Sequence, residues 1–150
     1  VVICDPHSDV TPALITNCVV VPQHKIFKEF FQEKGLFYLV SPDGGALKKI
    51  YKLAEVALPV GVIECSKQRD VTNGEITGIT INCQPDLKGL DCYIVDDIID
   101  GGRTFIEIAK ELKKRNPGKI ILVASHGFFT KGLEVFTDID EIYTRKGKVK

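Results

Sequence analysis

A twelve-residue segment, 93–104, combines an apolar run with carboxylates, glycines and a hydroxyl group. Its polar part consists of Asp96, Asp97, Asp100, Gly101, Gly102, Arg103 and Thr104. Glycines allow successive backbone N–H groups to converge, and a helix that opens near Thr104 adds the positive end of its dipole. The loop is therefore suited to binding a phosphate. We expect Thr104 to cap that helix and to donate to the phosphate.

The two adjacent carboxylates of Asp96 and Asp97 cannot bind the phosphate themselves, because like charges repel. They suit sugar hydroxyls or a hard cation such as Mg²⁺. A phosphate on one side and a diol on the other describe a ribose phosphate, so the polar residues of this segment form a predicted ribose-phosphate site. The alternative is an ordinary strand-loop-helix connection with a capping aspartate.

Apolar runs and helical periodicities alternate along the rest of the chain. Strands are predicted at 1–4, 19–21, 37–40, 60–65, 75–81, 93–95 and 120–124, helices at 24–34, 45–58 and 104–115, a turn at 73–74, and a short helical piece and a hairpin within 131–150. This alternation predicts an α/β fold, a doubly wound, mostly parallel sheet with helices on both faces. Such sheets bind ligands at the carboxyl ends of their strands.

Further polar residues follow the predicted strands and fall at the same edge of the sheet. They are Asp5 and His7, then Asp43 with Gly44 and Gly45, then Lys67 and Arg69 in the polar stretch 66–74, and finally Ser125 with His126. We expect the carboxyl ends of the strands to bring them together. A turn, a cap or a solvated loop is the competing role for each, and for His126 we favour a structural hydrogen bond.

Composition limits the partners of the chain. Its 150 residues, 44% of them hydrophobic, suit one soluble domain. The formal net charge is zero, so no global field attracts nucleic acid or an anionic membrane. Its apolar runs are shorter than the roughly 20 residues of a membrane span. Five cysteines without a CxxC spacing indicate reduced thiols in a cytoplasmic protein.

The order of these motifs resembles the phosphoribosyl pyrophosphate synthetase family of the phosphoribosyltransferase superfamily. Segment 93–104 resembles the ribose-phosphate motif of the superfamily, although Gly101 stands where Thr or Ser is usual. Segments 3–8, 40–46 and 125–127 resemble the synthetases' Asp-x-His strand end, pyrophosphate loop and Thr-His-Gly element, and Lys67 with Arg69 resembles their mobile catalytic loop. The resemblance extends from the first residue to about residue 140.

This resemblance implies a type I phosphoribosyltransferase-like fold and the synthesis of phosphoribosyl pyrophosphate from ATP and ribose 5-phosphate. It also implies Mg²⁺ as cofactor and a homo-oligomer, because active sites in this family are shared between subunits. The residue roles that it implies are catalysis by Lys67 and Arg69, a pyrophosphate loop of Asp43, Gly44 and Gly45, and metal binding by His7 and Asp43. It further implies that ribose 5-phosphate is bound by the polar residues of segment 93–104, with the sugar hydroxyls on Asp96 and Asp97 and the 5-phosphate on residues 100–104.

Two alternatives remain open. A small phosphoribosyltransferase would use phosphoribosyl pyrophosphate to glycosylate a nucleobase, but it accounts less well for His7, Lys67 and Arg69. A non-catalytic regulatory homologue is favoured by Gly101 alone. Because synthetases of the family are about twice this length and the chain starts on an apolar run without Met, we expect 1–150 to be one domain, the C-terminal half of a longer two-domain chain.

Overall fold

We describe the fold from a computed structural model, which covers residues 1–69, 72 and 76–150, without the side chains at 69, 76 and 77. In chain order its elements are β1 (Val2–Cys4), α1 (Val10–Ala13), β2 (Val19–Val21), α2 (Gln23–Ile26), α3 (Lys28–Gln32), β3 (Phe37–Ser41), α4 (Leu47–Ala57), β4 (Gly61–Arg69), β5 (Ile76–Asn82), β6 (Asp91–Ile99), α5 (Arg103–Lys113), β7 (Ile120–Gly127), β8 (Glu141–Thr144) and β9 (Gly147–Lys148). Within these residues the longest helices, α4 and α5, have 11 residues each, too few to cross a membrane.

A seven-stranded sheet organises the chain, with the strand order β5-β4-β3-β6-β7-β8-β9. Strands β4, β3, β6, β7 and β8 run parallel, and the edge strands β5 and β9 run antiparallel to their neighbours. The central strands β6 and β7 are mostly buried apolar runs, as expected of strands that are covered on both faces. The predicted mostly parallel α/β fold is confirmed.

Helices cover both faces of this sheet. On one face, α5 buries Ile108 and Leu112 against the strands. On the other face, α4 buries Ile50 and Leu53, and α3 buries Phe31. Because successive side chains of a strand point to opposite faces, each apolar strand contributes to both cores. Fully burying one such side chain stabilises the fold by about 1.5–3 kcal/mol.

The first strand departs from the prediction that 1–4 is buried. β1 pairs in parallel with β2 in a separate two-stranded sheet, and Val2 at its start is 66% exposed. The loop that follows β1 still reaches the main sheet, because the buried side chain of Asp5 accepts a hydrogen bond from Ser125 of β7. The loop after β1 thus reaches the edge of the main sheet, as predicted, although β1 itself lies outside that sheet.

The helix predicted at 24–34 is interrupted at Phe27, where φ is −102° and ψ is 5°. Two short helices, α2 and α3, replace it. Phe27 and Phe31 are both almost fully buried, and the Phe31 ring contacts Phe37 and Tyr93 with centroid distances of 5.3 and 5.2 Å. Packing of these aromatic rings against the sheet outweighs the local helical periodicity.

Other boundaries also differ from the predictions. β4 continues through the polar stretch to Arg69 and pairs with β5, whereas the predicted turn at 73–74 and residue 75 lie outside the described residues. β6 continues to Ile99, so the acidic pair lies within the strand. Of the short helix and the hairpin predicted in 131–150, the structure has the hairpin β8–β9 and, in this fully described segment, no helix.

Candidate active site

The carboxyl end of β6 places two carboxylates at the centre of the sheet edge. Asp96 is in register with Ala124 of β7, and Asp97 is 7% exposed. The Asp97 backbone N–H donates to Asp96 Oδ1 at 2.8 Å. Because neighbouring residues of a strand point to opposite sides, the two side chains have different surroundings.

The negative charge of Asp96 is less well compensated by neighbouring groups than that of Asp97. Burial raises the pKa of Asp96 to about 7, and the negative charges of Asp97 and Asp43 add to the rise, while the hydrogen bond from the Asp97 N–H and the charge of Lys67 oppose it. A pKa raised in this way is typical of functional sites. A cation or hydroxyl donors placed beside Asp96 would favour its charged form.

Asp97, in contrast, has cationic and polar partners. Its Oδ2 accepts a hydrogen bond from Lys49 Nζ at 2.9 Å and lies 3.1 Å from His7 Nδ1. The His7 side chain is 81% exposed, so its other face is open to solvent. Burial alone would lower the pKa of Lys49, but its bonds to Asp97 and Asp5 outweigh this effect and raise it. Lys49 therefore stays charged at neutral pH.

Lys49 also connects the acidic pair to a buried polar network around Asp5. Asp5 is 2% exposed and accepts from Lys49 Nζ at 2.9 Å, from Ser125 Oγ at 2.6 Å and from Gln23 Nε2 at 3.0 Å. Gln23 Nε2 also donates to the Asp96 carbonyl at 3.0 Å. Both partners of this nitrogen are acceptors, so the amide orientation is fixed. Gln23 Oε1 then has no partner among the described residues.

Asp43 lies in the loop after β3 and fixes that loop. Its Oδ1 accepts from the N–H groups of Gly45 and Ala46 at 3.0 and 3.2 Å, and its Oδ2 accepts from Lys67 Nζ at 2.8 Å. Burial would raise the pKa of Asp43, but Lys67 and these N–H groups lower it overall. Asp43 therefore stabilises the turn, the role that competed with a role in the site, and it also lines a cavity beside the acidic pair. Nothing lies within 4 Å of where a side chain of Gly44 would start, so this loop is open.

The loop between β6 and α5 is compact. Gly102 precedes the helix with φ 76°, and a Cβ on it would lie 2.4 Å from Phe136 Cε1, so only glycine fits there. Gly102 occupies the N-cap position without a side-chain cap, and Thr104 is already helical, so the prediction that Thr104 caps the helix is wrong. Asp100 Oδ1 accepts from the backbone N–H and the hydroxyl of Thr130. The first N–H groups of α5 have no partner within the helix and suit an anion.

These residues line two adjoining cavities, which share Lys67, Asp96 and Ile98. We call the first the carboxylate cavity; its polar lining is His7, Gln23, Asp43, Lys49, Lys67, Asp96 and Asp97. We call the second the phosphate-loop cavity; residues 100–105 and Lys131 complete its lining. The structure thus brings most of the predicted site residues together. β4 ends at Arg69, whose side chain lies outside the described part of the chain.

The carboxylate cavity has the oxygen ligands that a hard cation such as Mg²⁺ prefers. Among the described residues, no three His, Cys, Asp or Glu side chains converge in a way that could hold a metal ion. Mg²⁺ is usually bound by only one or two carboxylates, with waters and substrate phosphates as its remaining ligands. The carboxylates of Asp43, Asp96 and Asp97 around one cavity fit that requirement, and His7 lines the same cavity.

Sequence reasoning missed Lys49, Gln23 and Lys131. Lys49 looks like an ordinary charged residue of an amphipathic helix, and its ion pairs depend on Asp5, which is distant in the sequence. The sequence placed Asp5 at the edge of the sheet, but its burial, which requires a cation nearby, is visible only in the structure. His126 Nε2 donates to the Cys4 carbonyl at 2.8 Å, which agrees with the structural role predicted for it.

The fold and this site define a class of protein. The chain belongs to the family described as phosphoribosyl transferase domain, which matches residues 24–141. The match includes Asp43, Lys67 and segment 93–104, whereas Asp5 and His7 precede it. The adenine phosphoribosyltransferase of Saccharomyces cerevisiae has the same fold, with a TM-score of 0.56 over 79% of this chain and 72% of that one, at 20% identity.

Within this class, the more similar relatives are ribose-phosphate pyrophosphokinases. The chain is 38% identical to that of Mycoplasmopsis pulmonis over 80% of this chain and 37% of the relative. It is 35% identical to that of Mycoplasma genitalium over 89% of this chain and 40% of the relative. The phosphoribosylpyrophosphate synthetase of Mycobacterium smegmatis superposes with a TM-score of 0.68 and 25% identity, over 84% of this chain and 40% of that one. The predicted resemblance is confirmed, and the chain spans about two fifths of these relatives.

Proposed function

We propose that this chain is the ribose-5-phosphate-binding domain of a ribose-phosphate pyrophosphokinase, which transfers pyrophosphate from ATP to O1 of ribose 5-phosphate. The observation that carries the proposal is the contact between the two cavities, which puts a phosphate cradle beside a pair of carboxylates and lets Lys67 reach both. The names of the relatives above 30% identity favour this activity over nucleobase glycosylation.

In the proposed reaction, the N–H groups at the start of α5 hold the 5-phosphate, and Asp96 and Asp97 accept hydrogen bonds from the ribose hydroxyls. The O1 hydroxyl releases its proton to solvent and attacks the β-phosphorus of ATP. The bond from that phosphorus to the oxygen bridging to the α-phosphorus breaks, and AMP leaves with that oxygen. Charge develops on the transferred group, and Lys67, together with Arg69, neutralises it.

Lys67 is well placed for this role because it already shields one carboxylate. Its ammonium contacts Asp43 Oδ2 at 2.8 Å and lines the phosphate-loop cavity too. An incoming phosphate can take over the ammonium, leaving Asp43 available to a cation. His7 and Asp43 would hold Mg²⁺, which supplies charge neutralisation for the polyphosphate when bound.

In this proposal, the catalytic activity requires a longer protein of which this chain is one domain. Since the chain spans about two fifths of its relatives, we expect these 150 residues to bind ribose 5-phosphate but not to turn it over efficiently. A homo-oligomer and an additional domain that supplies the ATP base site are part of the same proposal.

Calorimetric titration tests the proposal. Ribose 5-phosphate and ATP are titrated separately, with and without Mg²⁺, into the wild type and an Asp96→Asn/Asp97→Asn variant. Binding of ribose 5-phosphate that the variant loses, with weak ATP binding, supports the proposal. A Lys110→Gln variant, altered on an exposed ion pair of α5, is the matched control and should bind as the wild type does.

The same titration separates the alternatives. Tight, Mg²⁺-dependent binding of phosphoribosyl pyrophosphate without ribose 5-phosphate binding would point to a small phosphoribosyltransferase. Binding of neither sugar phosphate would leave a non-catalytic homologue. In a separate activity assay, efficient formation of phosphoribosyl pyrophosphate by the 150 residues alone would contradict the proposal that this chain is only a part of the catalytic unit.

A further inference from the structure

Lys131 lies over the phosphate loop. A Cβ built on Gly101 would contact Lys131 Cε at 3.6 Å and Cδ at 3.7 Å, so the alkyl stem of Lys131 packs on the open side of this glycine. Lys131 also lines the phosphate-loop cavity together with residues 100–105. Cε, the atom that carries the ammonium, therefore lies beside the loop, in a cavity that is also lined by Lys67, Arg103 and Thr104.

The segment that carries Lys131 is tied to the loop by several contacts. The neighbouring Thr130 donates its N–H and its hydroxyl to Asp100 Oδ1. Two residues earlier, Phe128 N donates to the Ile99 carbonyl at 2.8 Å. These bonds join both sides of the cavity, so the position of Lys131 is set by the same residues that shape the loop.

The charges around the cavity point to an anion. Lys67 is paired with Asp43, and Asp100 is engaged by Thr130. In the described part of the chain, Lys131 makes no ion pair. An unpaired ammonium beside a second lysine and the N-terminus of α5 leaves local positive potential that a phosphate dianion would neutralise.

We infer that Lys131 binds the 5-phosphate of the substrate, supplying the side-chain donor that Gly101 lacks. The small glycine and the lysine act as a pair, because the stem of Lys131 occupies the space that a larger residue at 101 would take. The inference rests on the proposed function, since it assigns one more residue to that ribose-5-phosphate site.

Four variants test the inference by titration with ribose 5-phosphate. Lys131→Gln keeps a polar side chain but removes its charge, and it should weaken binding roughly tenfold or more, as expected for a lost charge-assisted hydrogen bond. Lys131→Arg should retain most of the affinity. Lys110→Gln, which removes an exposed charge elsewhere, should change nothing, and Asp96→Asn/Asp97→Asn reports on the sugar side of the site.

A charge contact and a packing contact differ in their response to salt. The difference between wild type and Lys131→Gln should shrink as ionic strength rises, because exposed charges are screened over about 8 Å at 0.15 M salt. A difference that is independent of salt would assign Lys131 to packing and overturn the inference. The melting temperatures of the Lys131 variants should match that of the wild type.

The outcomes separate the two proposals. If the wild type binds ribose 5-phosphate and the Asp96→Asn/Asp97→Asn variant does not, but Lys131→Gln binds as tightly as the wild type, the role of Lys131 is disproved and the proposed function stands. If the wild type does not bind ribose 5-phosphate, both proposals fail together.

Discussion

The Lys49 ammonium lies 2.9 Å from Asp97 Oδ2, and through this contact it distinguishes two carboxylates that are adjacent in the sequence. Asp97 is ion-paired with Lys49. For the neighbouring Asp96, burial and the negative charges around it raise the pKa to about 7. Two carboxylates in unlike environments can take different roles, one as a fixed charge and one as a group that changes charge near neutral pH.

Replacing Lys49 by Met should destabilise the fold by about 2–3 kcal/mol. The change leaves Asp5, which is 2% exposed, and Asp97 without their cation, and an uncompensated buried charge is costly. Lys49 is itself 31% exposed, so water entry moderates the loss. Urea unfolding at pH 7.5 measures it. Lys48→Met, at the exposed neighbouring position, should stay within about 0.5 kcal/mol of the wild type; equal losses in both variants would refute the role of Lys49.

The raised pKa of Asp96 predicts a pH dependence of stability. Between about pH 4 and pH 7, Asp96 is protonated in the folded state but ionised in the unfolded state. Its stabilising contribution is therefore complete below pH 4 and is lost as pH rises through 7. An Asp96→Asn variant does not titrate at this position, so its stability relative to the wild type should rise over this interval, by at most about 4 kcal/mol for a pKa raised from 3.8 to about 7.

The comparison is made by urea unfolding of both proteins from pH 4 to pH 8 without divalent cations. Taking the difference between wild type and Asp96→Asn cancels the other titrating groups, including Asp43, whose lowered pKa acts in the opposite direction. A difference that is constant across this range would show that burial does not perturb Asp96 in the manner described.

Local sequence signals were sufficient to predict the parallel strands of the main sheet and the part of the candidate site that lies in segment 93–104. The apolar runs of β3, β6 and β7 are long and flanked by glycine or proline, so strand identity and parallel order follow from them. The acidic and glycine-rich residues of segment 93–104 are contiguous, so their joint position needs no tertiary information. The predicted meeting of His7, Asp43 and Lys67 with this segment followed from the rule that ligands bind at the carboxyl ends of strands.

The features that could not be predicted depend on contacts between distant residues. The break at Phe27 accompanies the packing of the Phe30 and Phe31 rings against Tyr93, more than 60 positions further along the chain. Lys49 can pair with Asp5 because the loop after β1 reaches β7, where Ser125 donates a hydrogen bond to the Asp5 carboxylate. Lys131 lies in a turn with no periodic signal, and its contact with Gly101 joins residues that are 30 positions apart in the sequence.

The two glycines of the phosphate loop should respond differently to alanine. Gly102→Ala places a Cβ 2.4 Å from Phe136 Cε1 in a residue with φ 76°, and the combined clash and backbone strain should cost about 3 kcal/mol. Gly101→Ala, which meets only the stem of Lys131 at 3.6 Å, should change the stability by less than about 0.5 kcal/mol. Thermal unfolding of both variants checks this order, and similar losses in both would contradict the tight packing of Gly102.

Removing the Lys67 charge should move two affinities in opposite directions. Lys67 Nζ is paired with Asp43 Oδ2, so Lys67→Gln frees a carboxylate oxygen and should raise the affinity for Mg²⁺ alone roughly fivefold, as expected for a partly exposed ion pair. The same variant loses a cation that faces the phosphate-loop cavity, so it should bind inorganic pyrophosphate less tightly. Calorimetry with each probe separately, against Lys110→Gln, measures both effects. If both affinities fall together, Lys67 is organising the loop around Asp43 and not competing with the metal for it.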